Sequence, residues 1–166
     1  MQPIYHDAYC HIGLPRFGSA EDAIQVLEQN GVQKAVFVLG PMVPDYATLF
    51  SALDKYGDRI RGVGIPFGET QSQVNEVVAL QLEAGVLGLR LQNTEIRDYE
   101  TALAMLGQAG RWLYAVSFIQ HDDLIRKLLA WLEKYPQANI AAPHFLSPQP
   151  ITMFNQRSIL LFVAPL

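Results

Sequence analysis

The chain of 166 residues holds a single cysteine, Cys10, which excludes an intramolecular disulfide framework and fits a reducing compartment. Positive charge is also in short supply. Twelve Lys and Arg stand against 16 Asp and Glu, giving a net charge of −4 and a pI near 5.5. With no basic patch and no interleaved aromatics, neither nucleic acid nor an anionic membrane surface is the expected partner, and a small metabolite is. Long hydrophobic runs are missing as well. The longest, Ile159 to Leu166, falls far below the roughly 20 residues needed to cross a bilayer. The start, Met-Gln-Pro-Ile-Tyr-His, lacks the basic residues and apolar stretch of a signal peptide, so the expected location is the cytoplasm. Finally, no glycine-rich phosphate loop follows any strand pattern. Gly13-Leu14-Pro15-Arg16-Phe17-Gly18 matches neither GxGxxG nor a Walker loop, which argues against nucleotide binding.

What is present is a regular alternation of strand and helix patterns. Half the residues are apolar, 17% are charged and the mean hydropathy is +0.12, enough for a real core in one α/β domain. Strands are expected at about 4–11, 35–39, 60–67, 86–91, 112–119 and 138–144. Five helices are expected between them, starting at Ser19, Pro44-Asp45, Thr70, Tyr99 and His121-Asp122-Asp123. Ser19 and Thr70 are good N-caps, and Gly31, Gly57, Gly85 and Gly110 are good stops. Gly62 and Gly64 inside the third strand suggest close backbone packing or a bend. Repeated βα units with short, nearly uniform apolar strands imply a parallel sheet flanked by helices, either open and doubly wound or closed toward a barrel.

Chemistry concentrates in the first strand, at Asp7-Ala8-Tyr9-Cys10-His11-Ile12-Gly13. Strict alternation would put Asp7, Tyr9 and His11 on one face and Ala8, Cys10 and Ile12 on the other. This stretch resembles the first-strand motif of the amidohydrolase-2 branch of the metal-dependent hydrolases, Asp-x-His-x-His followed by Ile/Phe-Gly. Similar agreement is seen at Gly31-Val32-Gln33-Lys34-Ala35-Val36-Phe37-Val38, Arg59-Ile60-Arg61-Gly62-Val63-Gly64, Gly85-Val86-Leu87-Gly88-Leu89-Arg90-Leu91 and Ala138-Asn139-Ile140-Ala141-Ala142-Pro143-His144. The resemblance covers about residues 3–148. It implies an incomplete (β/α)8 TIM-barrel-like α/β fold of about six parallel strands with outer helices, with the site at the C-terminal ends of the strands.

The departures from that family carry information too. Its metal is typically held by two first-strand histidines, one on strand five, one on strand six and an aspartate on strand eight. Here the first position is Tyr9, the second is His11, the strand-five position falls near Ser117-Phe118 and the strand-six position is His144. A full barrel needs roughly 250 residues, so strand eight and its aspartate have no counterpart. Catalytic zinc generally takes three protein ligands. No resident metal is therefore expected, a weakly held divalent ion such as zinc at His11 and His144 being the remaining option.

Each candidate residue has a functional and a plain reading. His11 and His144 are expected at strand ends facing one mouth, where they could orient a water or polarise a carbonyl, or simply satisfy core hydrogen bonds. Tyr9 could donate to a substrate oxygen or merely fill space with its hydroxyl satisfied. Arg90, on a strand of Val, Leu and Gly, must meet either a carboxylate of the protein or an anionic ligand. His6 is expected to be structural, His121 to cap a helix or face solvent, and Cys10 to behave as a small apolar residue. Residues 1–150 read as a partial barrel domain and 151–166 as a divergent apolar tail. Six strands leave sheet edges open, so association into a homo-oligomer is expected, with the tail covering the gap within one copy or between two. The function implied is hydrolysis of a small carboxylate- or lactone-type metabolite by His11 and His144, with Arg90 and Tyr9 binding the substrate. The competing reading is a catalytically inactive barrel remnant that binds a ligand or protein.

Overall fold

The computed structural model describes residues 5–116 and 122–143. The order of elements is β1 (Tyr5–Ile12), α1 (Ala20–Gln29), β2 (Val32–Leu39), α2 (Tyr46–Tyr56), β3 (Ile60–Gly64), α3 (Gln71–Glu83), β4 (Gly88–Leu91), α4 (Asn93–Asp98), α5 (Glu100–Gln108), β5 (Trp112–Ala115), α6 (Asp122–Lys134) and β6 (Asn139–Ala141). Every strand pairs in parallel with the next, in the order β1-β2-β3-β4-β5-β6. A doubly wound sheet would reverse its order partway; this one advances in a single direction, as a barrel does.

The sheet curls on itself. Laid flat, β1 and β5 would stand four strand spacings apart, roughly 19 Å. Instead the rings of Tyr9 on β1 and Tyr114 on β5 stack with centroids 6.1 Å apart. These six strands therefore form a curled half-barrel with a small inner face and a helix-covered outer face. Val36, Val38, Val63 and Tyr114 make the inner cluster, with Tyr9, Trp112 and Ala141 packed against it. On the outer face Ile12, Ala35, Phe37, Leu39 and Ile60 pack under α1 and α2. Farther along, Leu89, Leu91, Leu113 and Ala115 pack under α3, α5 and α6. The alternation along each strand thus sorts residues into two cores, and Arg90, between Leu89 and Leu91, points inward.

Local signals placed most helices correctly. Ser19 accepts from the Asp22 backbone N–H at 3.1 Å while the Asp22 carboxylate accepts from the Ser19 N–H at 3.0 Å, two otherwise orphan donors satisfied reciprocally. Ser19→Ala is expected to destabilise the protein by about 1 kcal/mol, read as a lower urea midpoint with an unchanged slope. Gly31, Gly85 and Gly110 sit at φ 68°, 82° and 62°, the left-handed stop a helix end favours. Gly62 and Gly64 mark close packing: a Cβ on Gly62 would lie 3.0 Å from Leu49, and one on Gly64 would collide with the Gln81 side-chain oxygen. Gln81 is wholly buried on α3 and ties that helix to the end of β3 by donating to the Ile65 carbonyl at 2.9 Å.

Several expectations are corrected. A short helix, α4, precedes the one expected at Tyr99, so six helices are found among the described residues. On α6, Leu124, Leu128 and Trp131 form the buried face while Leu129 is 52% exposed, and Trp131 Nε1 donates to the Leu103 carbonyl at 2.9 Å. β3 ends at Gly64 instead of Phe67, and β4 begins at Gly88 instead of Val86. Asp7 does not share a face with Tyr9 and His11. The β1–β2 register slips between Asp7 and Cys10, leaving Asp7 beside Ala35 and Cys10 beside Phe37, both partners lying on the outer face. This bulge adds one residue to β1 and resets the alternation. Asp7 stabilises the bulge by accepting from the Tyr9 N–H at 2.9 Å. Among the described residues no helix is long and apolar enough to cross a membrane. The expected tail, 151–166, lies outside the described residues.

Candidate functional site

The mouth of the half-barrel, at the C-terminal ends of the strands, gathers the inward side chains of β1 and β4. Arg90 Nε donates to the Tyr9 hydroxyl at 3.0 Å, across the interior. No carboxylate among the described residues reaches ion-pair distance of this half-buried guanidinium. Of the two partners foreseen for Arg90, the protein's own carboxylate is thus not used. Tyr9 does more than fill space: its oxygen accepts from Arg90 and fixes the guanidinium's position.

His11 stands beside this pair. Its ring lies edge-on to Tyr9, centroids 4.9 Å apart, and stacks on Phe17 at 4.8 Å. Nδ1 lies 3.1 Å from the Val38 carbonyl. A carbonyl only accepts, so Nδ1 carries the proton, and in the neutral ring Nε2 is the acceptor nitrogen. Phe17 reaches His11 from the 13–18 loop, where Gly40 leaves the space its ring needs: a Cβ at Gly40 would overlap Phe17. Hydrogen bonds from Gly13 N to Gly18 O at 3.2 Å and from Leu14 N to Asp45 at 2.9 Å fasten the loop. His144 and His121 lie outside the described residues. Cys10 packs in the outer core, where burial first and the Asp7 charge second push its thiol up, away from the thiolate a nucleophile needs. His6 is exposed.

Next to Arg90 opens a cavity of about 140 Å³, lined by Met42, Ile65, Phe67, Arg90, Glu95 and Tyr99 among others. All of these follow the C-terminal ends of β2, β3 and β4, apart from Arg90 on β4 itself. Glu95 is the residue the sequence reading missed. It sits on α4, which carries just one buried apolar residue, Ile96, so no helical period announces it. A weak signal was available: Gln92-x-x-Glu95 has capping-box spacing without the usual Ser or Thr. Glu95 accepts from the Gln92 N–H at 2.6 Å. Burial raises its carboxyl above the usual range, more than the Gln92 bond and the Arg90 charge lower it. The Tyr46 phenol nearby is held up by burial and then by the Glu95 charge, and the Tyr114 phenol is pushed up to about 12, chiefly by burial. A fixed cation, a carboxyl whose hold on its proton is strengthened by burial, and an apolar wall together can bind a small anion and move a proton. Among the described residues no three His, Cys, Asp or Glu side chains gather as a metal site.

This architecture, six parallel strands in sequential order with helices outside, is a TIM-barrel-like α/β fold. No family model and no curated protein matches the sequence. Solved structures do match. A probable 2-pyrone-4,6-dicarboxylic acid hydrolase from Acinetobacter baumannii, with citric acid bound, superposes at a TM-score of 0.54 and 16% identity, over 82% of this chain and 56% of that one. The 4-hydroxy-tetrahydrodipicolinate synthase of Methylacidiphilum fumariolicum SolV matches at 0.56 and 11%, over 85% and 54%. At such identities the shared property is the fold. The chain spans little more than half the length of these structures.

Proposed function

We propose that the chain acts, by itself or as part of a longer barrel, as an amidohydrolase-type hydrolase of a small carboxylate- or lactone-bearing metabolite. The observation that carries this reading is Arg90, a cation turned into the mouth of the half-barrel, braced by a tyrosine hydroxyl and at ion-pair distance from no described carboxylate. A substrate carboxylate supplies the missing partner, and charge-assisted pairing orients it. The solved structure of the probable hydrolase, with citric acid bound, adds support, since a protein of this fold holds a polycarboxylate.

In this reading Arg90 holds the substrate's anionic end and His11 orients the attacking water, with His144 proposed as a second imidazole at the same mouth. Water oxygen bonds to the acyl carbon, the ring C–O bond breaks, and the water's two protons end on the leaving oxygen and in solvent, leaving a hydroxy acid as its carboxylate. The described residues supply no three-donor metal set, so no step is routed through a metal. A weakly held zinc at His11 and His144 is tested by adding it.

The experiment is a rate measurement on carboxylated lactones, 2-pyrone-4,6-dicarboxylate included, with and without zinc or manganese. Turnover is expected. Tyr9→Phe, which frees Arg90 from its brace, is expected to lower kcat/KM by about tenfold, one charge-assisted hydrogen bond's worth. A folded wild type that turns over nothing in the panel, with or without metal, would sink the hydrolase reading in favour of a ligand-binding barrel.

A further inference from the structure

Building on that reading, we infer that the cavity between Arg90 and Glu95 seats a small carboxylate, its charge on Arg90, while Glu95 is in its acid form and donates a hydrogen bond to it. The geometry sets this requirement. Arg90, Glu95 and the apolar side chains of Ile65 and Phe67 border one space of about 140 Å³, so a ligand that fills it meets both charged residues. An anionic ligand drawn to the guanidinium must therefore approach Glu95. If both carboxyls were ionised, two negative charges would share one cation in a half-buried site, where water screens them poorly. A proton on Glu95 removes the repulsion and turns an acceptor into a donor. Oε2 already accepts from the Gln92 N–H, so the proton goes to Oε1, for which the described residues offer no other partner.

Other groups around Glu95 leave it as the one that responds. Arg90 faces it from β4, and a guanidinium keeps its charge. Tyr46 faces it from α2, its hydroxyl donating to the Ile65 carbonyl at 3.2 Å, and its phenol is held well above the neutral range. Tyr99 lines the far side of the cavity. Burial already raises the Glu95 carboxyl above its usual range, the direction that eases proton uptake. Ligand binding and proton uptake are therefore coupled: affinity is full below the Glu95 midpoint and falls as pH rises through it, while by reciprocity the bound anion moves that midpoint up.

The test follows the Glu95 carboxyl by NMR in full-length protein labelled with carboxyl-¹³C glutamate, assigned with Glu95→Gln. The probe is methanesulfonate, a small anion that takes up no proton in the range scanned. The expected result is a Glu95 midpoint that rises by about one pH unit with the probe, together with about tenfold tighter probe binding below the midpoint than above it. Glu95→Gln, which retains an acceptor for the Gln92 N–H, should bind the probe equally at both pH values, and Arg90→Gln should not bind it. A midpoint indifferent to the probe, absence of binding at either pH, or a Glu95→Gln protein with unchanged pH dependence overturns the inference. The hydrolase reading fails separately: a wild type inert toward lactones whose Glu95 still follows the probe keeps the proton-coupled anion site and loses the hydrolysis.

Discussion

Arg90→Ala is expected to lower kcat/KM on carboxylated lactones by about 100-fold, and Arg90→Lys to recover only a small part of the loss. The first figure follows from a charge-assisted, fork-shaped contact worth on the order of 3 kcal/mol at a half-buried site. The second follows from shape. A lysine ammonium is a point donor, whereas Arg90 spends Nε on the Tyr9 hydroxyl and still offers its two terminal nitrogens to a carboxylate, a division of labour lysine cannot reproduce. The fold should tolerate the change, because Arg90 makes no ion pair among the described residues and its neighbours Leu89 and Leu91 anchor the strand outward. Circular dichroism and the urea midpoint should therefore stay close to wild type while the rate falls. An Arg90→Ala enzyme within threefold of wild type, or one fully rescued by lysine, would remove the anion-holding role.

Phe37→Ala should have the largest effect on stability, about 3–5 kcal/mol, read as a lower urea midpoint with an unchanged slope. Phe37 is fully buried at the centre of the outer face of β2. Its strand neighbours in register are Cys10 on β1 and Gly62 on β3, both too small to move into the space an alanine would open. Gly62 is itself pressed by Leu49 and Leu53 of α2, at 3.0 and 3.1 Å from where a Cβ would sit, so the helix already lies as close to the sheet as it can. The cavity would stay open, which is the condition under which truncation costs most. A loss below 1 kcal/mol would mean that α1 and α2 can settle onto the sheet after all.

Most of the fold could be read from residues that act locally. Caps at Ser19 and Thr70, left-handed glycines at helix ends and short apolar strands each depend on a few neighbours, and those neighbours are adjacent in sequence. The site was harder, for three distinct reasons. The bulge that turns Asp7 outward depends on how β1 registers with β2, and period-two counting is blind to a single inserted residue. Glu95 lies on a helix of one and a half turns that buries a single apolar side chain, too little for a period to show. The bracing of Arg90 by Tyr9 joins residues 81 positions apart and exists because the sheet curls, a property of all the strands together. Arg90 stands out in the sequence as a charged residue on an otherwise apolar strand, and His11 through the resemblance of its strand to a known first-strand motif.

That 81-residue link has a consequence for how the molecule assembles. Nearly every other pairing joins a strand to the next one along the chain, the low-contact-order arrangement that lets units zip up in succession. The Tyr9–Arg90 clasp is different: it closes a loop spanning four strands, and the entropy of that closure is met only once the intervening units are in place. Arg90 is therefore held in its braced position only where β1 to β4 are paired and curled. An anion that binds it draws the equilibrium toward the fully curled state, so a ligand of Arg90 is at the same time a ligand for the completed fold.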